Sequence, residues 1–557
     1  MLNTDMIRFG VFISYEEITG QKPTLDQLHK ILSPYRCRDV LVVLAKLNSV
    51  LKHWRNRPDL HLDRRLIQDL FPHEPRLLQI YCQKGPDRLL FSRVGLLYLA
   101  KQASASCSEG GRQIVTVQDA RHIAVACLMA NDLLHSRSRQ EPSLIEFLAS
   151  ELPYFDYVSR DTQFVDIGRN ICIFNDIAKS PGACVGRGLR DLAADFLAAT
   201  GLEFRIFTQL VLSVAAPYLT LSYEDLLTEP AKAFVLPNFF SQMKVTEEQV
   251  GRFWQLVSQP YSQLAGRVEM SPTRPGGDFT DLQDKPVVAL DDGSYICLDP
   301  GFLLDKAGRA LFWTMFSVMP DDKRRLLFGR WGEVFEFYVN WLFGQAYHGP
   351  GEFVLDARFE DGDQAFDCYL REGSSLCVVE TKSSVIRADA KYGFDAGRLR
   401  SELERKFIKG DKKEKKGVAQ LESSLVRLLS GERIPGLDVR GVKKIYPILL
   451  GLDPTLLAPL MARYVRSHFP NQHLGRKFKR VITPLAVLGI SDVELLLPYT
   501  NCASLSSILE SRYRATGEMP GTIHPASVPI LESLEPGDRT VQERFRAFLV
   551  DTKELFV

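Results

Sequence analysis

The sequence predicts a multidomain protein in which a mainly α-helical N-terminal half precedes an α/β domain with a mixed central sheet. Residues from about 20 to 270 carry helical periodicity interrupted by short turns. A polar passage rich in proline and glycine, residues 271–278, then marks a boundary. Beyond it, β-rich segments alternate with helical ones. We therefore divide the chain into a helical recognition or regulatory region, residues 1–275, and an α/β domain, residues 276–557.

Three helix starts in the N-terminal half are predicted from their capping residues. In each, a threonine hydroxyl would accept from backbone amides, and a polar side chain three residues later would reach back. The pairs are Thr24 with Gln27, Thr116 with Asp119, and Thr246 with Gln249.

The α/β domain opens with a predicted hairpin at residues 284–300, with Asp292-Gly293 at its tip. A helix around 301–319 follows it. Near the C-terminus, residues 481–490 are typical of a strand, and Ser491 begins another helix. We expect these last elements to extend the central sheet as a C-terminal α/β extension.

A second hairpin, residues 364–383, carries two carboxylates and a lysine. Its two-residue Gly373-Ser374 loop sets the register, which places Asp367 opposite Glu380 when counted outward. Because side chains alternate along a strand, Lys382 shares their face. The opposite face is predicted to be continuously apolar, with Phe366, Cys368, Leu370, Cys377 and Val379.

Two carboxylates directly opposed across a strand pair repel each other unless a cation compensates. A hard divalent cation such as Mg²⁺ prefers oxygen ligands and takes only one or two protein carboxylates. The hairpin alone leaves a second interpretation open, a solvated surface hairpin with an ordinary Glu–Lys pair.

The segment before the hairpin adds a third carboxylate. Residues 329–343 have helical periodicity, with an apolar stripe of Trp331, Phe335, Tyr338 and Leu342. Glu333 and Asn340 fall opposite the stripe. Glu336 lies at its border, where a carboxylate is partly desolvated and can face a pocket.

The order of these residues resembles the PD-(D/E)XK nuclease superfamily, which has the restriction-endonuclease-like fold. Gly332-x-x-Phe335-Glu336 lies on a helix, Asp367 on a strand, and Glu380-x-Lys382 on the paired strand. The family core is a helix, three antiparallel strands, a helix and a further strand. The chain offers these in order, near 329–345, 352–359, 364–383, 417–430 and 443–450, within a core of about 325–455. Phe366 stands where many members have proline.

The resemblance implies a site and a reaction. Asp367, Glu380, the backbone carbonyl of Thr381 and, directly or through water, Glu336 would bind Mg²⁺ or Mn²⁺. Lys382 would orient or help deprotonate the attacking water. In several branches a helical glutamine lies near the site, and Gln420 resembles it, although a surface glutamine is the alternative.

The implied reaction is hydrolysis of phosphodiester bonds by a metal-dependent endonuclease, with DNA the favoured substrate. A bacterial anti-phage or restriction-type defence role is implied by the resemblance. Two alternatives stay open: an RNA nuclease, and an inactive nuclease-like module that binds nucleic acid or serves assembly.

The charge of the chain is balanced overall but locally basic. There are 69 Lys and Arg against 68 Asp and Glu, whereas residues 398–416 hold nine basic against four acidic side chains. Basic patches neutralise phosphates without reading sequence, although such runs are also typical of solvated faces. The candidate nucleic-acid-binding residues are Lys409, Lys412, Lys413, Lys415 and Lys416, followed downstream by Arg476, Lys477, Lys479 and Arg480.

Cysteine usage and the N-terminus indicate a cytoplasmic protein. None of the ten cysteines forms a Cys-x-x-Cys pair, which argues against a structural zinc site and a secreted disulfide scaffold. The first residues lack the pattern of a signal peptide, and we expect no membrane span. The helical half would recognise a substrate, a partner protein or an activator. A homodimer is expected because cutting both strands of a duplex commonly needs two sites.

Overall fold

The computed structural model describes residues 11–54, 62–84, 88–134, 143–155, 163–177, 191–230, 235–270, 278–346, 353–411, 414–517, 528–537 and 540–552. Within these ranges, helices dominate the N-terminal half and a mixed six-stranded sheet forms in the C-terminal half. The predicted fold class is confirmed at this level. Residues 271–277, which make up most of the predicted boundary passage, lie outside the described residues.

The helices before residue 271 span Tyr15–Thr19, Leu25–Leu32, Cys37–Trp54, Leu62–Leu70, Pro75–Lys84, Arg93–Ser106, Val117–Leu134, Leu144–Phe155, Gln163–Ile171, Leu192–Thr200, Phe204–Leu219, Tyr223–Thr228, Glu247–Val257 and Tyr261–Met270. A π-helical turn, Cys172–Ile177, continues the helix that ends at Ile171. In the described ranges no single helix is long and apolar enough to cross a membrane. Leu192–Thr200 and Phe204–Leu219 meet that length and composition only together, bent by 67°.

The helices after residue 277 span Thr280–Asp284, Pro300–Ala307, Leu311–Val318, Asp321–Ala346, Ala388–Lys391, Ala396–Leu403, Val418–Leu429, Pro459–Arg466, Asn471–Phe478, Ile490–Leu496, Leu505–Thr516 and Thr540–Thr552. A π-helical turn covers Glu404–Ile408, and short 3₁₀ turns cover Pro454–Leu457, Leu497–Tyr499 and Pro529–Leu531. Two of these helices carry candidate residues. We name Asp321–Ala346 the Glu336 helix and Val418–Leu429 the Gln420 helix.

The three predicted helix starts are confirmed. Thr24 and Thr246 each form a capping box with the glutamine three residues later. The Asp119 carboxylate accepts from the Thr116 amide at 3.2 Å, and the Asp119 amide donates back to the Thr116 hydroxyl at 3.4 Å. Local sequence therefore determines where these helices begin.

Two small sheets are separate from the central sheet. Strands β1 (Val11–Phe12) and β2 (Arg88–Leu89) pair in parallel. In the other, β3 (Ser258–Pro260) pairs with β4 (Val287–Ala289), which forms an antiparallel hairpin with β5 (Tyr295–Cys297). The predicted lead-in hairpin is thus confirmed, with Gly293 at φ +76° in its turn.

The helix predicted around 301–319 is two helices, Pro300–Ala307 and Leu311–Val318. The first ends at Gly308, whose ψ of −125° lies outside the helical region. A Cβ at Gly308 would lie 3.2 Å from the Cβ of Asp166, so the helix ends where the chain packs tightly on the N-terminal half.

The central sheet contains strands β6 (Phe353–Arg358), β7 (Gln364–Glu372), β8 (Ser375–Lys382), β9 (Lys444–Gly451) and β10 (Val481–Ile482), side by side in the order β10-β9-β8-β7-β6. The pairs β6–β7 and β7–β8 are antiparallel, and β8–β9 is parallel. Strand β11 (Ala486–Gly489) also pairs with β9. The strand predicted at 481–490 is therefore split around Pro484, which cannot donate to a ladder.

Both faces of the hairpin are buried. Cys368, Leu370, Cys377 and Val379 pack in one cluster, as predicted. Tyr369, Leu376 and Val378, on the other face, belong to a second cluster with Leu421 and Leu425 of the Gln420 helix. Phe366 packs in this second cluster and not with Cys368. Opposite the step from Cys368 to Phe366, strand β6 is irregular, because Asp356, between Leu355 and Ala357, has φ +45°.

The two halves of the chain share a hydrophobic core. The first cluster runs from Ile13 to Phe548 and joins N-terminal helices to the sheet. Ile145 and Leu148 of the helix Leu144–Phe155 join the second cluster on the opposite face. The helical half thus packs on both faces of the C-terminal sheet.

The Glu336 helix begins at Asp321, earlier than predicted. Phe335, Tyr338 and Leu342 of the predicted stripe are buried, and Trp331 is half-buried. The expectation that Asn340 lies opposite the core is wrong, because Asn340 is buried. The helix contacts β6, the N-terminal turn Cys172–Ile177 and the turn Leu497–Tyr499, so it packs against elements from both halves of the chain.

Candidate active site at the end of the hairpin

The register of the β7–β8 hairpin is the predicted one as far as Cys368, which pairs with Val379. Gly373 has φ +58° in the turn, a conformation that glycine adopts without steric cost. Asp367 and Glu380 occupy the next positions, where this ladder stops. Strand β8 continues to Lys382 by pairing with β9. The carboxylates therefore lie where the two strands of the hairpin separate.

Asp367 is buried and held by three donors. Its Oδ2 accepts from the Thr381 backbone N–H at 2.5 Å and from the Thr381 hydroxyl at 2.8 Å. Its Oδ1 accepts from Gln364 Nε2 at 2.9 Å. Thr381 was predicted as a ligand through its carbonyl, and its amide and hydroxyl also orient the neighbouring carboxylate.

Glu380 is fully buried and carries an unsatisfied oxygen. Its Oε1 accepts from Lys382 Nζ, whereas Oε2 has no hydrogen-bond partner among the described residues. Burial raises the pKa of Glu380 to about 8, and the negative charge of Asp367 adds to the shift while Lys382 opposes it. When both carboxylates are ionised, Lys382 therefore offsets only part of their negative charge.

Lys382 joins Glu380 to the Gln420 helix. Besides its contact with Glu380, its Nζ donates to Gln420 Oε1 at 3.4 Å. Both Lys382 and Gln420 are half-buried. The structure thus brings Gln420 to the site, as the resemblance implies.

Glu336 approaches the site from its helix. It is half-buried, and its negative charge contributes to raising the pKa of Glu380, after burial and Asp367. One turn earlier, a Cβ at Gly332 would lie 3.4 Å from the hydroxyl of Ser383, which follows β8 directly. The helix backbone therefore passes close to the end of β8, and the five predicted side chains lie in one region.

The donor set fits a hard divalent cation. In the described part of the chain, no group of three or more His, Cys, Asp or Glu side chains is arranged to hold a metal ion. Mg²⁺, however, commonly uses one or two carboxylates and completes its shell with water and substrate oxygens. The orphaned Oε2 of Glu380 and the nearby Asp367 carboxylate supply such oxygens.

The first basic segment leads into the Gln420 helix. Lys409 pairs with Glu404 at 3.2 Å, and Lys416 pairs with Glu414 at 3.1 Å. Lys415 donates to the hydroxyl of Ser423, on the same helix as Gln420, at 3.2 Å. Lys412 and Lys413 lie outside the described residues.

The second basic cluster, Arg476, Lys477, Lys479 and Arg480, lies at the opposite end of the sheet. Arg480 donates to the carbonyl of Val442, just before β9, and Val481 pairs with Lys444, the neighbour of Ser375. Ser375 and Lys382 are the two ends of β8, so the cluster is roughly 20 Å from the carboxylates at 3.3 Å per residue. The structure does not bring this cluster to the site.

Gln364 is a site residue that the sequence does not predict. On a regular strand, residues three apart point to opposite faces, so Gln364 and Asp367 would not meet. The register shift of the β6–β7 ladder lies between Gln364 and Phe366 and breaks this alternation, which allows the contact. Bulges have no reliable sequence signature, and nothing in the local pattern indicates one here.

Comparison with protein-family models gives no match, and comparisons with curated proteins and with solved structures give no significant match.

Proposed function

We propose that this protein is a metal-dependent nuclease of the PD-(D/E)XK type that hydrolyses phosphodiester bonds. The observation that carries the proposal is the meeting of Asp367, Glu380 and Lys382 where β7 and β8 separate, beside Glu336. The element order supports it: a helix, three antiparallel strands, a helical connection that ends with the Gln420 helix, and a strand parallel to the third. This is the order of the restriction-endonuclease-like core.

Each residue has a role in the proposed reaction. Asp367 and Glu380 hold Mg²⁺ or Mn²⁺ with the carbonyl of Thr381, and Glu336 contributes directly or through water. A metal held by these residues would supply a water of lowered pKa and would neutralise charge on the phosphoryl group. Lys382 orients the attacking water. Gln420 positions Lys382 through the hydrogen bond between their side chains.

DNA is the proposed substrate, and exposed lysines near the Gln420 helix would contact its phosphates. Lys409 and Lys415 are exposed on the segment that precedes this helix. A cytoplasmic role in defence against foreign DNA, an activator bound by the helical half, and a homodimer belong to the same proposal. An inactive binding module is less consistent with the site, because all four charged positions are present and interact.

Cleavage assays test the proposal. Plasmid, linear duplex, single-stranded DNA and RNA are incubated with Mg²⁺, Mn²⁺ or EDTA. We expect metal-dependent cleavage that Asp367→Ala and Lys382→Ala abolish and that Asp438→Ala, at an exposed carboxylate paired with Arg440, leaves intact. Equal cleavage by the wild type and Asp367→Ala would overturn it.

If no cleavage is seen, a second measurement distinguishes an inactive protein that binds metal from one that has no metal site. Mn²⁺ should raise the melting temperature of the wild type and of Asp438→Ala but not of Asp367→Ala. A shift without cleavage indicates an enzyme that needs its activator. The absence of both cleavage and a shift, with DNA binding retained, would favour the inactive binding module.

A further inference from the structure

A cavity of about 700 Å³ lies between the helical half and the end of the central sheet. Its walls come from the helices Gln163–Ile171 and Leu311–Val318, the Glu336 helix, and the segment after β8. Leu452, one of its lining residues, donates its N–H to the carbonyl of Lys382 at 2.9 Å. The cavity therefore adjoins the carboxylate site, but none of the four charged site residues lines it.

One wall of the cavity is aromatic and partly open to solvent. Trp313 is 42% exposed and Phe328 is 59% exposed, although both are large apolar side chains. Trp331 lies beside them, with its ring centroid 4.7 Å from that of Phe312. Aromatic faces exposed in a cavity are typical of sites that stack a planar ring.

The remaining wall is polar and carries guanidinium groups. Arg387 makes a two-point contact with Asp389, at 3.1 Å for each nitrogen, and its side chain is 65% exposed. Such an exposed pair contributes little, so Arg387 can exchange the carboxylate for a phosphate at small cost. Gln283 also lines the cavity, and its amide is a group of the kind that pairs with the edge of a base.

We propose that this cavity binds a nucleotide, with the base against Trp313, Phe328 and Trp331 and the phosphate at Arg387. An inorganic anion would make no use of the aromatic wall, and a wholly apolar ligand would bury the charged pair Arg387–Asp389 without contacting it through polar groups. The volume lies in the range of small-molecule sites. The nucleotide is either free in solution or part of a strand held at the adjacent site, and only the second case rests on the proposed function.

Binding is measured in EDTA, where no cleavage occurs, by tryptophan fluorescence and calorimetry. The probes are AMP, GMP, CMP, UMP and a short single-stranded DNA. We expect Phe328→Ala and Arg387→Ala to weaken binding on the order of tenfold. Arg440→Ala is the matched control, because Arg440 also makes a two-point contact with an aspartate two residues away, at 3.0 and 3.2 Å, far from the cavity lining.

The outcomes separate the two sources and the two proposals. Mononucleotide binding that both variants weaken assigns the cavity to a free nucleotide, whether or not the protein cleaves DNA. Weakening of oligonucleotide binding alone assigns it to the bound strand. If neither variant weakens the binding of any probe, or if Arg440→Ala weakens it equally, the proposed cavity site is wrong. The proposed nuclease activity is tested separately, by the cleavage assays.

Discussion

Lys382 donates from its ammonium group to the buried carboxylate of Glu380, two residues earlier on the same face of β8. The spacing of two along a strand makes this contact local, so it depends on few distant residues. The ammonium neutralises one oxygen of Glu380 and leaves the other without a donor. A lysine in this position can stabilise the carboxylate pair in part and still leave an oxygen for a cation.

The pH dependence of stability should report on Glu380. Its pKa of about 8 in the folded protein lies above the ordinary 4.5, so between these values the folded chain binds more protons than the unfolded chain. The free energy of unfolding should therefore fall as the pH rises from about 4.5 through 8. We expect urea unfolding in EDTA to show this loss between pH 6 and pH 9 in the wild type and not in Glu380→Gln. The same loss in both proteins would contradict it.

Divalent cations should stabilise the protein more at high pH. Metal binding needs an ionised Glu380, so protons compete with the cation below about pH 8. Mn²⁺ should raise the melting temperature more at pH 9 than at pH 6. Glu380→Gln should remove the shift at both values, whereas Asp438→Ala should keep it. A shift in the wild type that does not change with pH would count against metal binding at Glu380.

Lys382 and Gln420 should differ in their effect on cleavage. A positioned group that takes part in proton transfer commonly contributes about 10²–10⁴-fold. We expect Lys382→Ala to lower the single-turnover rate by that amount. Gln420→Ala should cost roughly tenfold or less, because Gln420 acts through a hydrogen bond of 3.4 Å to Lys382. If Gln420→Ala were as severe as Lys382→Ala, Gln420 would contact the substrate itself.

The hydroxyl of Thr381 should stabilise the fold through Asp367. Removing a hydrogen bond to a charged group costs about 1.5–3 kcal/mol, and Thr381→Val removes the 2.8 Å bond while conserving shape. The control is Thr483→Val, in the same half, because the buried hydroxyl of Thr483 has no partner among the described residues. Chemical denaturation should show destabilisation for Thr381→Val and almost none for Thr483→Val. Equal values would contradict the assigned contact.

Much of the hairpin could be predicted because its determinants are local. The Gly373-Ser374 turn sets the pairing up to Cys368 and Val379, and alternation then puts Glu380 and Lys382 on one face. The helix starts follow from residues three apart for the same reason. The order of the core helices and strands could also be predicted, because their hydrophobic periodicity is a local property of the sequence.

The remaining features depend on contacts between distant segments. Asn340 is buried although the periodicity of its own helix marks its side as polar, and that helix contacts β6, the turn Cys172–Ile177 and the turn Leu497–Tyr499. The contact of Gln364 with Asp367 follows from a register shift between β6 and β7, and the position of Arg480 follows from parallel pairing of β10 with β9. The cavity forms only where the two halves meet, so no single segment indicates it.

The junction of the two halves contains a buried charge pair whose removal should unfold both together. Arg169, from the helical half, makes a two-point contact with Glu494, at 2.6 and 2.7 Å. Tyr338 of the Glu336 helix donates to the same carboxylate at 2.6 Å. Both charged side chains are buried, so water cannot replace either partner if the pair is broken. The pair therefore joins the helical half to the helix Ile490–Leu496 and to the Glu336 helix.

Arg169→Met leaves the buried carboxylates of Glu494 and Asp166 without their cation, which costs about 3–5 kcal/mol. The double variant Arg169→Met with Glu494→Met removes the Arg169–Glu494 pair and should recover part of the loss, because Asp166, 2.9 Å from Arg169 in the wild type, stays buried without its cation. Because the halves share a core, we expect one unfolding transition, seen alike by circular dichroism and by tryptophan fluorescence, that moves to lower urea in the single variant. Two separate transitions, or a double variant as unstable as Arg169→Met, would show that the pair does not couple the halves.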